Sequence, residues 1–202
     1  GSIVMASALL LRRGHLDDQD AETAGRIIRS GQRMTRMIAQ LLDLTRARIG
    51  GGLPIEPKPT DLSEICRNVI EELESPIHLE VEGDVTGIWD QDRLAEAVSN
   101  LAANAIAYAA PETTAIVKAH GEGAEVIVEV CNQGDPIPAE LLPHIFEPFR
   151  QAREGQRSTG HLGLGLYIAC QIVRAHGGTL EAQSAGGTTT FAMRLPRRAT
   201  RK

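Results

Sequence analysis

The chain has 202 residues, of which 42% are hydrophobic, and a formal net charge of -5 at pH 7. This length predicts one or two globular domains with a real core, and the negative charge argues against nucleic acid as a partner. Cys66, Cys131 and Cys170 are far apart in sequence, which disfavours a disulfide framework or zinc site and fits a reducing, cytoplasmic compartment. No apolar run reaches the roughly 18 residues of a membrane span, and no charged leader opens the chain.

Residues 1–52 predict a helical hairpin. The segment SIVMASALLLRR is apolar and predicts a first helix, and HLDDQD predicts a polar turn. A second helix should run from Ala21 to Ile49, because apolar residues recur there every seven positions as in a coiled coil. Its two rows are Ile27, Met34 and Leu41, and Ser30, Met37 and Leu44. Two helices bury little surface alone, so we expect two copies to form a dimeric four-helix bundle.

Three glycines at residues 50–52 are followed by three closely spaced prolines, which predict a linker at residues 53–60. Asp61 and Glu64 fit a capping box, so a helix should begin there. From residue 61 to 196 the predicted order is helix, strands, helix, hairpin, helix, hairpin. We therefore expect a two-layer α/β sandwich, α+β in class, followed by a disordered basic tail at residues 197–202.

Polar side chains follow one line of the predicted helix from Asp92 to Ala109. Asn100, Asn104 and Tyr108 are spaced by four residues, about 80° around the helix from the expected core stripe. That stripe consists of Leu94, Val98, Leu101 and Ala105. Amide oxygens can coordinate a hard cation such as magnesium, which proteins usually share with phosphates. Considered alone, this helix favours the alternative that both asparagines are ordinary surface residues.

Two glycine-containing segments add candidate sites. In CNQGDPIP, Asn132 ends a strand at a rigid turn, and its amide can both donate to and accept from a purine edge. In HLGLGLYIACQIV, Gly163 and Gly165 precede a helix whose N-terminus favours an anion. An ordinary turn and close helix–sheet packing are the alternatives. The polar segment before Gly163 has the composition of a nucleotide lid, with Arg150, Arg153 and Arg157.

Together these segments resemble the sensor histidine kinases of two-component systems. NLAANAIAY resembles the N box, NQGDPIP the G1 box, FEPF the F box and LGLGLYI the G2 box. The hairpin and its PKPTDL linker are similar to the family's dimerisation and phosphotransfer domain. The resemblance covers nearly the whole chain and extends to phytochrome-like kinases. It favours each functional interpretation over its alternative.

The resemblance implies a site for ATP and Mg²⁺ in a sandwich of the histidine kinase/gyrase type. Asn104 would bind the metal, Asn100 would lie near the metal and phosphates, and Tyr108 would pack on adenine. Asn132 stands where the family usually has an adenine-reading Asp. The other implied contacts are Gly134, Ile137, Phe149 as lid anchor, His161, Leu162, Gly163, Leu164 and Gly165.

Several residues depart from the family pattern. Asn132 lacks the usual charge, which implies weaker ATP binding, and Pro136 replaces a G1 glycine. Ala107 replaces a common Lys, and His161 replaces a G2 glycine. None of the six histidines matches the phosphoacceptor of the HELRTPL-like segment, which would fall just before residue 1. We therefore expect that this chain alone does not autophosphorylate.

The resemblance also implies partners and a reaction. A homodimer would transfer the γ-phosphoryl group of ATP to a histidine and then to an Asp of a response-regulator receiver domain, under the control of an N-terminal sensor domain. One alternative is an ATP-hydrolysing relative such as gyrase, but those enzymes place a Glu base where Asn100 stands. The other is a non-enzymatic phosphotransfer or dimerisation scaffold, against which the intact glycines and asparagines argue.

Overall fold

The computed structural model describes residues 2–12, 17–48, 53–73, 75–150 and 163–198. The chain divides into two compact units, residues 1–45 and 46–202. Among the described residues, no helix combines the length and apolar character needed to cross a membrane.

The first unit is helical, as predicted. Helix α1 comprises Ser2–Arg12, and α2 comprises Asp18–Arg48 and so begins earlier than the predicted Ala21. The start of α2 is stabilised by Asp17, whose Oδ1 accepts a hydrogen bond of 2.7 Å from the backbone N–H of Asp20. Gly14 and the side chains of Leu41 and Leu44 lie outside the described residues.

The second unit has the predicted order of helices and hairpins. Its elements are β1 (Lys58–Asp61), α3 (Leu62–Glu72), β2 (Ile77–Glu82), β3 (Thr86–Trp89), α4 (Gln91–Ala107), β4 (Ala115–Glu122), β5 (Glu125–Gln133), α5 (Gly165–Ala175), β6 (Thr179–Ala185) and β7 (Thr188–Pro196). The main sheet has the order β2-β4-β5-β7-β6, with β2 and β4 parallel and the other pairs antiparallel. A 3₁₀ turn, Leu142–His144, lies between β5 and α5 just before the F box.

One face of the sheet forms the core. Val117 lies opposite Val130, which lies opposite Phe191, and Val128 lies opposite Met193. All five side chains are fully buried. Helices α3, α4 and α5 cover this face, with α4 between the other two. The period-two alternation of buried residues therefore produces the predicted two-layer sandwich.

The predicted linker at residues 53–60 was wrong at its C-terminal end. Lys58–Asp61 forms β1, which pairs antiparallel with β3, and Thr60 is buried against the Trp89 carbonyl. Pro59 concealed this strand, because proline cannot donate to a ladder and normally argues against a strand. β1 has a strand neighbour on one side only, so Pro59 is tolerated there.

The predicted disordered tail likewise begins too early. The Arg197 guanidinium donates to the carbonyls of Asp84, Thr86 and Gly123 at 2.7 to 3.0 Å. The Arg197 carbonyl accepts from Ile88 N at 2.7 Å, so the fold extends through residue 198. The composition of RRATRK predicted solvation, but a guanidinium has enough donors to satisfy several loop carbonyls at once. Residues 199–202 lie outside the described part of the chain.

His176 connects the C-terminus of α5 to the N-terminus of α4. Its side chain is fully buried; Nδ1 lies 2.8 Å from the Ile172 carbonyl, and Nε2 lies 3.0 Å from the backbone N of Asp90. Since Nε2 accepts from an N–H, the proton of the neutral ring is on Nδ1, which donates to Ile172. Burial lowers the pKa of His176 below its usual value, although the Ile172 hydrogen bond and the charge of Asp90 oppose this shift.

This buried histidine predicts a loss of stability in mild acid. An unfolded histidine titrates near 6.5, whereas the folded ring has a lower pKa, so the unfolded state binds more protons below pH 6.5. The free energy of unfolding should therefore fall as the pH drops from about 6.5 toward the folded pKa, by at most about 1.4 kcal/mol per pH unit. Urea unfolding of the wild type and His176→Gln across this range measures the difference. Identical pH dependence in the two proteins would contradict the prediction.

Candidate functional site

Helix α4 carries the two candidate metal-site asparagines. Its N-cap is Asp90, whose Oδ1 accepts from Arg93 N at 3.1 Å. The predicted core stripe of Leu94, Val98, Leu101 and Ala105 is fully buried, which confirms the helix face. Asn100 and Asn104 are half-buried beside that stripe. Within the described part of the chain, neither side-chain amide has a hydrogen-bond partner, so both are available to a ligand.

The glycine turn before α5 lies against α4. Gly163 has a φ of +68°, and its carbonyl accepts a hydrogen bond of 3.0 Å from Phe149 N. Leu164 is buried and anchors the turn. A Cβ added at Gly165 would lie 3.1 Å from Asn100 Oδ1, and one added at Gly163 would lie 2.6 Å from the Arg150 carbonyl. Both predicted glycines therefore permit close approach, and Gly165 lies directly beside Asn100.

Asn132 and Tyr108 meet at the other end of α4. Tyr108 follows the last helical residue rather than lying within the helix, and it is 42% exposed. Asn132, 5% exposed at the end of β5, donates from Nδ2 to the Tyr108 carbonyl at 3.2 Å and to the Gln133 carbonyl at 3.5 Å. Because the amide nitrogen is used within the protein, Oδ1 is the atom that Asn132 presents to a ligand.

The turn after Asn132 is tied to the β6–β7 hairpin. Gly134 donates to the Gly187 carbonyl at 2.9 Å, and a Cβ at Gly134 would lie 2.2 Å from the Tyr108 carbonyl. The backbone N of Ile137 donates to Ser184 Oγ at 2.9 Å. The structure therefore brings Tyr108, Asn132 and Gly134 together, with Ile137 on the same turn.

Phe149 and Gly163 lie side by side, because the backbone N–H of Phe149 bonds to the Gly163 carbonyl. Phe149 has a φ of +67° and is 54% exposed, and its N–H bonds to Gly163 as described above. Beside it, Glu147 lies 2.7 Å from His144 Nδ1 and 3.0 Å from Arg150 Nε. These two hydrogen bonds, with His144 the larger cause, lower the pKa of Glu147. The predicted site residues His161 and Leu162 lie outside the described residues, as do Arg153 and Arg157.

Sequence reasoning missed several of these contacts. The i, i+3 spacing of His144, Glu147 and Arg150 could have indicated the cluster beside Phe149. Nothing in the sequence indicates that the Tyr108 carbonyl would orient Asn132.

Three other features of the second unit were considered as candidate sites: clusters of metal-ligating side chains, the Cys66 thiol and a cleft beside β1 and β3. The described residues contain no cluster of three or more His, Cys, Asp or Glu side chains suited to a metal. Burial, and secondly the charge of Asp61, raise the pKa of Cys66 to about 12, so its thiol is unreactive. A cleft of about 660 Å³ beside β1 and β3 is lined in part by Asp84 and Arg197, which bond to each other and to the loops around them.

Two family models match this chain. The model described as histidine kinase-, DNA gyrase B-, and HSP90-like ATPase matches residues 89–199, and the His Kinase A (phospho-acceptor) domain matches residues 1–50. The chain belongs to the histidine kinase-, DNA gyrase B-, and HSP90-like ATPase family. The phospho-acceptor domain ahead of the ATPase domain defines it more closely as a fragment of a two-component sensor histidine kinase.

Individual relatives agree with this family. The bacteriophytochrome of Pseudomonas aeruginosa is 34% identical over 201 residues, which are 96% of this chain and 27% of that protein. The probable sensor histidine kinase TcrY of Mycobacterium tuberculosis is 33% identical over 195 residues, 93% of this chain and 41% of that protein. The catalytic domain of histidine kinase ThkA has 26% identity and a TM-score of 0.62, and the match covers 71% of this chain and 97% of that domain. The chain thus spans less than half the length of these two sequence relatives.

The orientation of Asn132 predicts that Asn132→Asp lowers the stability of the protein, although the family resemblance implies an Asp at this position. In Asn132→Asp, the carboxylate would face the Tyr108 carbonyl and lose the donor that now bonds to it. We expect the free energy of unfolding to fall by about 1–3 kcal/mol, the cost of leaving a buried polar group without its partner. Urea unfolding measures this change.

Gln133→Glu is the matched control, because it makes the same chemical change at the neighbouring exposed position. Equal stability of the Asn132→Asp and Gln133→Glu variants would show that the bond to Tyr108 contributes nothing.

Proposed function

We propose that this chain is the catalytic core of a sensor histidine kinase, which binds Mg-ATP and transfers the γ-phosphoryl group to a histidine. The observation that carries the proposal is the position of Gly165 beside Asn100. A Cβ added at Gly165 would be 3.1 Å from Asn100 Oδ1, and Asn104 follows Asn100 one turn later on α4. Two available amides and a glycine turn at a helix N-terminus form a suitable setting for a metal-bound polyphosphate.

Asn104 would bind Mg²⁺ through Oδ1, and Asn100 would lie beside the metal and the phosphates. The residues present fit such an ion, because Mg²⁺ takes oxygen ligands, keeps several waters and usually shares phosphate oxygens. The ion supplies positive charge that neutralises the developing charge on the phosphoryl group. The backbone N–H groups of Gly163, Leu164 and Gly165 would bind the phosphates at the N-terminus of α5.

The adenine would lie at the other end of α4. Asn132 Oδ1 would accept a hydrogen bond from its amino group, since Nδ2 is held by Tyr108. The Tyr108 ring, exposed by 42%, would pack on the base, and Gly134 and Ile137 would shape the pocket. Phe149 would anchor the lid, the polar segment before Gly163. We also propose that His161 and Leu162, at the end of that segment, contact the phosphates.

Phosphoryl transfer is favoured over hydrolysis by the residue at position 100. A hydrolase needs a general base for water, and an amide does not accept a proton near neutral pH. The nearest carboxylate one turn earlier on α4, Glu96, is in a salt bridge of 2.9 Å with Arg93. The site would therefore orient ATP for attack by a protein side chain, with positioning and electrostatics as the main sources of catalysis.

Residues 1–52 would dimerise and present the phosphoacceptor region, and residues 61–196 would bind ATP. Apolar side chains of α1 and α2 that a second copy would cover are between 42% and 70% exposed: Met5, Leu9, Ile27, Met34 and Ile38. We infer that a response-regulator receiver domain accepts the phosphoryl group and that an N-terminal sensor domain controls the reaction. The acceptor histidine would belong to an HELRTPL-like segment, which these 202 residues do not contain. The three cysteines are free, which fits our proposal that the protein is located in the cytoplasm.

The metal assignment predicts the behaviour of Asn104→Ala in calorimetric titration with ATP. We expect the affinity for Mg-ATP to fall at least tenfold, because the variant lacks the amide ligand. We also expect that adding Mg²⁺ raises the ATP affinity of the wild type but not that of the variant. Asn68→Ala, at an exposed position on α3, is the matched control. Wild-type affinity and an unchanged response to Mg²⁺ in Asn104→Ala would refute the assignment.

The reaction itself is tested with radiolabelled ATP. A longer chain that includes the HELRTPL-like segment ahead of Ile3 should become labelled on histidine, and Asn104→Ala should abolish the labelling. The 202-residue chain should bind ATP and release phosphate only slowly. Rapid, sustained phosphate release by this chain would instead identify it as a hydrolase.

A further inference from the structure

Helices α5 and α4 pack against each other, and a close approach to α4 or to its N-cap marks each end of α5. At its start, Gly165 approaches Asn100 so closely that an added Cβ would be 3.1 Å from Oδ1. At its end, His176 Nε2 accepts a hydrogen bond of 3.0 Å from the backbone N–H of Asp90, the N-cap of α4. The two helices are therefore antiparallel. Positions 165 to 176 and 90 to 100 span about 16 Å and 15 Å at 1.5 Å per residue, so the contacts match in register.

The contact at His176 is buried and uses both ring nitrogens. The ring is fully buried, and its Nδ1 bond to the Ile172 carbonyl fixes the ring to α5. On the other side, Asp90 Oδ1 caps α4, and Oδ2 accepts from Glu56 N at 2.8 Å. The imidazole thus joins the C-terminus of α5, to which Nδ1 bonds it, to the N-cap residue of α4.

We infer that His176 is a positioning residue for the nucleotide site, an inference that rests on the proposed function. Its bond to Asp90 sets the axial register of α5 against α4, and so the position of the Gly163–Gly165 turn relative to Asn100. A shift of one residue along a helix is 1.5 Å, and a displacement of about 1 Å at a site can reduce activity a hundredfold. His176 acts at a distance, because it lies at the opposite end of α5 from the glycine turn.

Two variants separate the two hydrogen bonds of the ring. In His176→Gln, the side-chain oxygen can replace Nε2 as acceptor for Asp90 N, but the bond to Ile172 is lost. In His176→Asn, the side-chain nitrogen can replace Nδ1 as donor to Ile172, but the bond to Asp90 is lost. We expect H176N to weaken Mg-ATP binding at least fivefold and H176Q less than twofold, although each lacks one buried hydrogen bond. Equal weakening in both variants, or none, would overturn the inference.

A measurement without nucleotide makes the result independent of the proposed function. In NMR spectra of the free protein, the backbone amide signals of Gly163 and Gly165 should move in H176N and stay near their wild-type positions in H176Q. Unchanged glycine signals in H176N would overturn the positioning role. If the wild type fails to bind Mg-ATP, the proposed function is wrong, and the NMR comparison still decides what His176 does.

Controls exclude a general loss of stability. Val69→Ala removes buried volume from α3, away from the α4–α5 contact, and should lower the melting temperature without moving the glycine signals. Where H176N does not fold, His176→Leu keeps apolar volume but removes both hydrogen bonds. Compared with H176Q, which retains the bond to Asp90, it should still move the glycine signals. Glycine shifts in Val69→Ala as large as those in the His176 variants would reduce the effect to simple destabilisation and overturn the inference.

Discussion

Helix α4 has to bury one stripe completely and keep the adjacent stripe available to a ligand. Leu94, Val98 and Leu101 are fully buried, whereas Asn100 and Asn104 are half-buried on the adjacent line. The small residues Ala97, Ala102 and Ala105 let neighbouring elements approach, and all three are fully buried. The rest of the second unit depends on this packing, because a rotation of α4 would bury the amides or expose the core.

The neighbours of α4 meet this constraint with glycines and backbone groups. Gly165 lets the turn before α5 approach Asn100, and Gly134 lets the turn after β5 approach the Tyr108 carbonyl. A side chain at Gly134 would be 2.2 Å from that carbonyl and would force the two elements apart. The two ends of the site are thus fixed by close backbone approach rather than by ion pairs, and their geometry depends on the register of the helices.

Local patterns in the sequence predicted most of this architecture. The capping residue Asp61, the core stripe of α4 and the alternation along β4, β5 and β7 each have a short-range physical cause, and the structure contains all of them. Strand β1 was missed because Pro59 normally argues against a strand, and only the absence of a second strand neighbour permits it. Arg197 was missed because its three carbonyl partners come from loops distant in sequence. The candidate site divides in the same way. The asparagines and glycines were candidates because of their spacing, and the family resemblance favoured their functional interpretation. The direction of the Asn132 amide, by contrast, depends on the Tyr108 carbonyl 24 residues away, and the partner of His176 lies 86 residues earlier.

The choice of amides in place of carboxylates has an electrostatic consequence. The family resemblance implies a Glu at position 100 in gyrase-type relatives and an Asp at position 132 in most histidine kinases. With Asn100 and Asn132, two negative charges would be absent beside a ligand that would itself be strongly anionic. Amides also do not titrate, and the affinity of these contacts should not change in mild acid. His176, which is buried in its neutral form about 16 Å along α5 from the glycine turn, is an acid-sensitive group outside these contacts. Protonation at Nε2 would remove the acceptor for Asp90 N, so mild acid would disturb the register of the two helices.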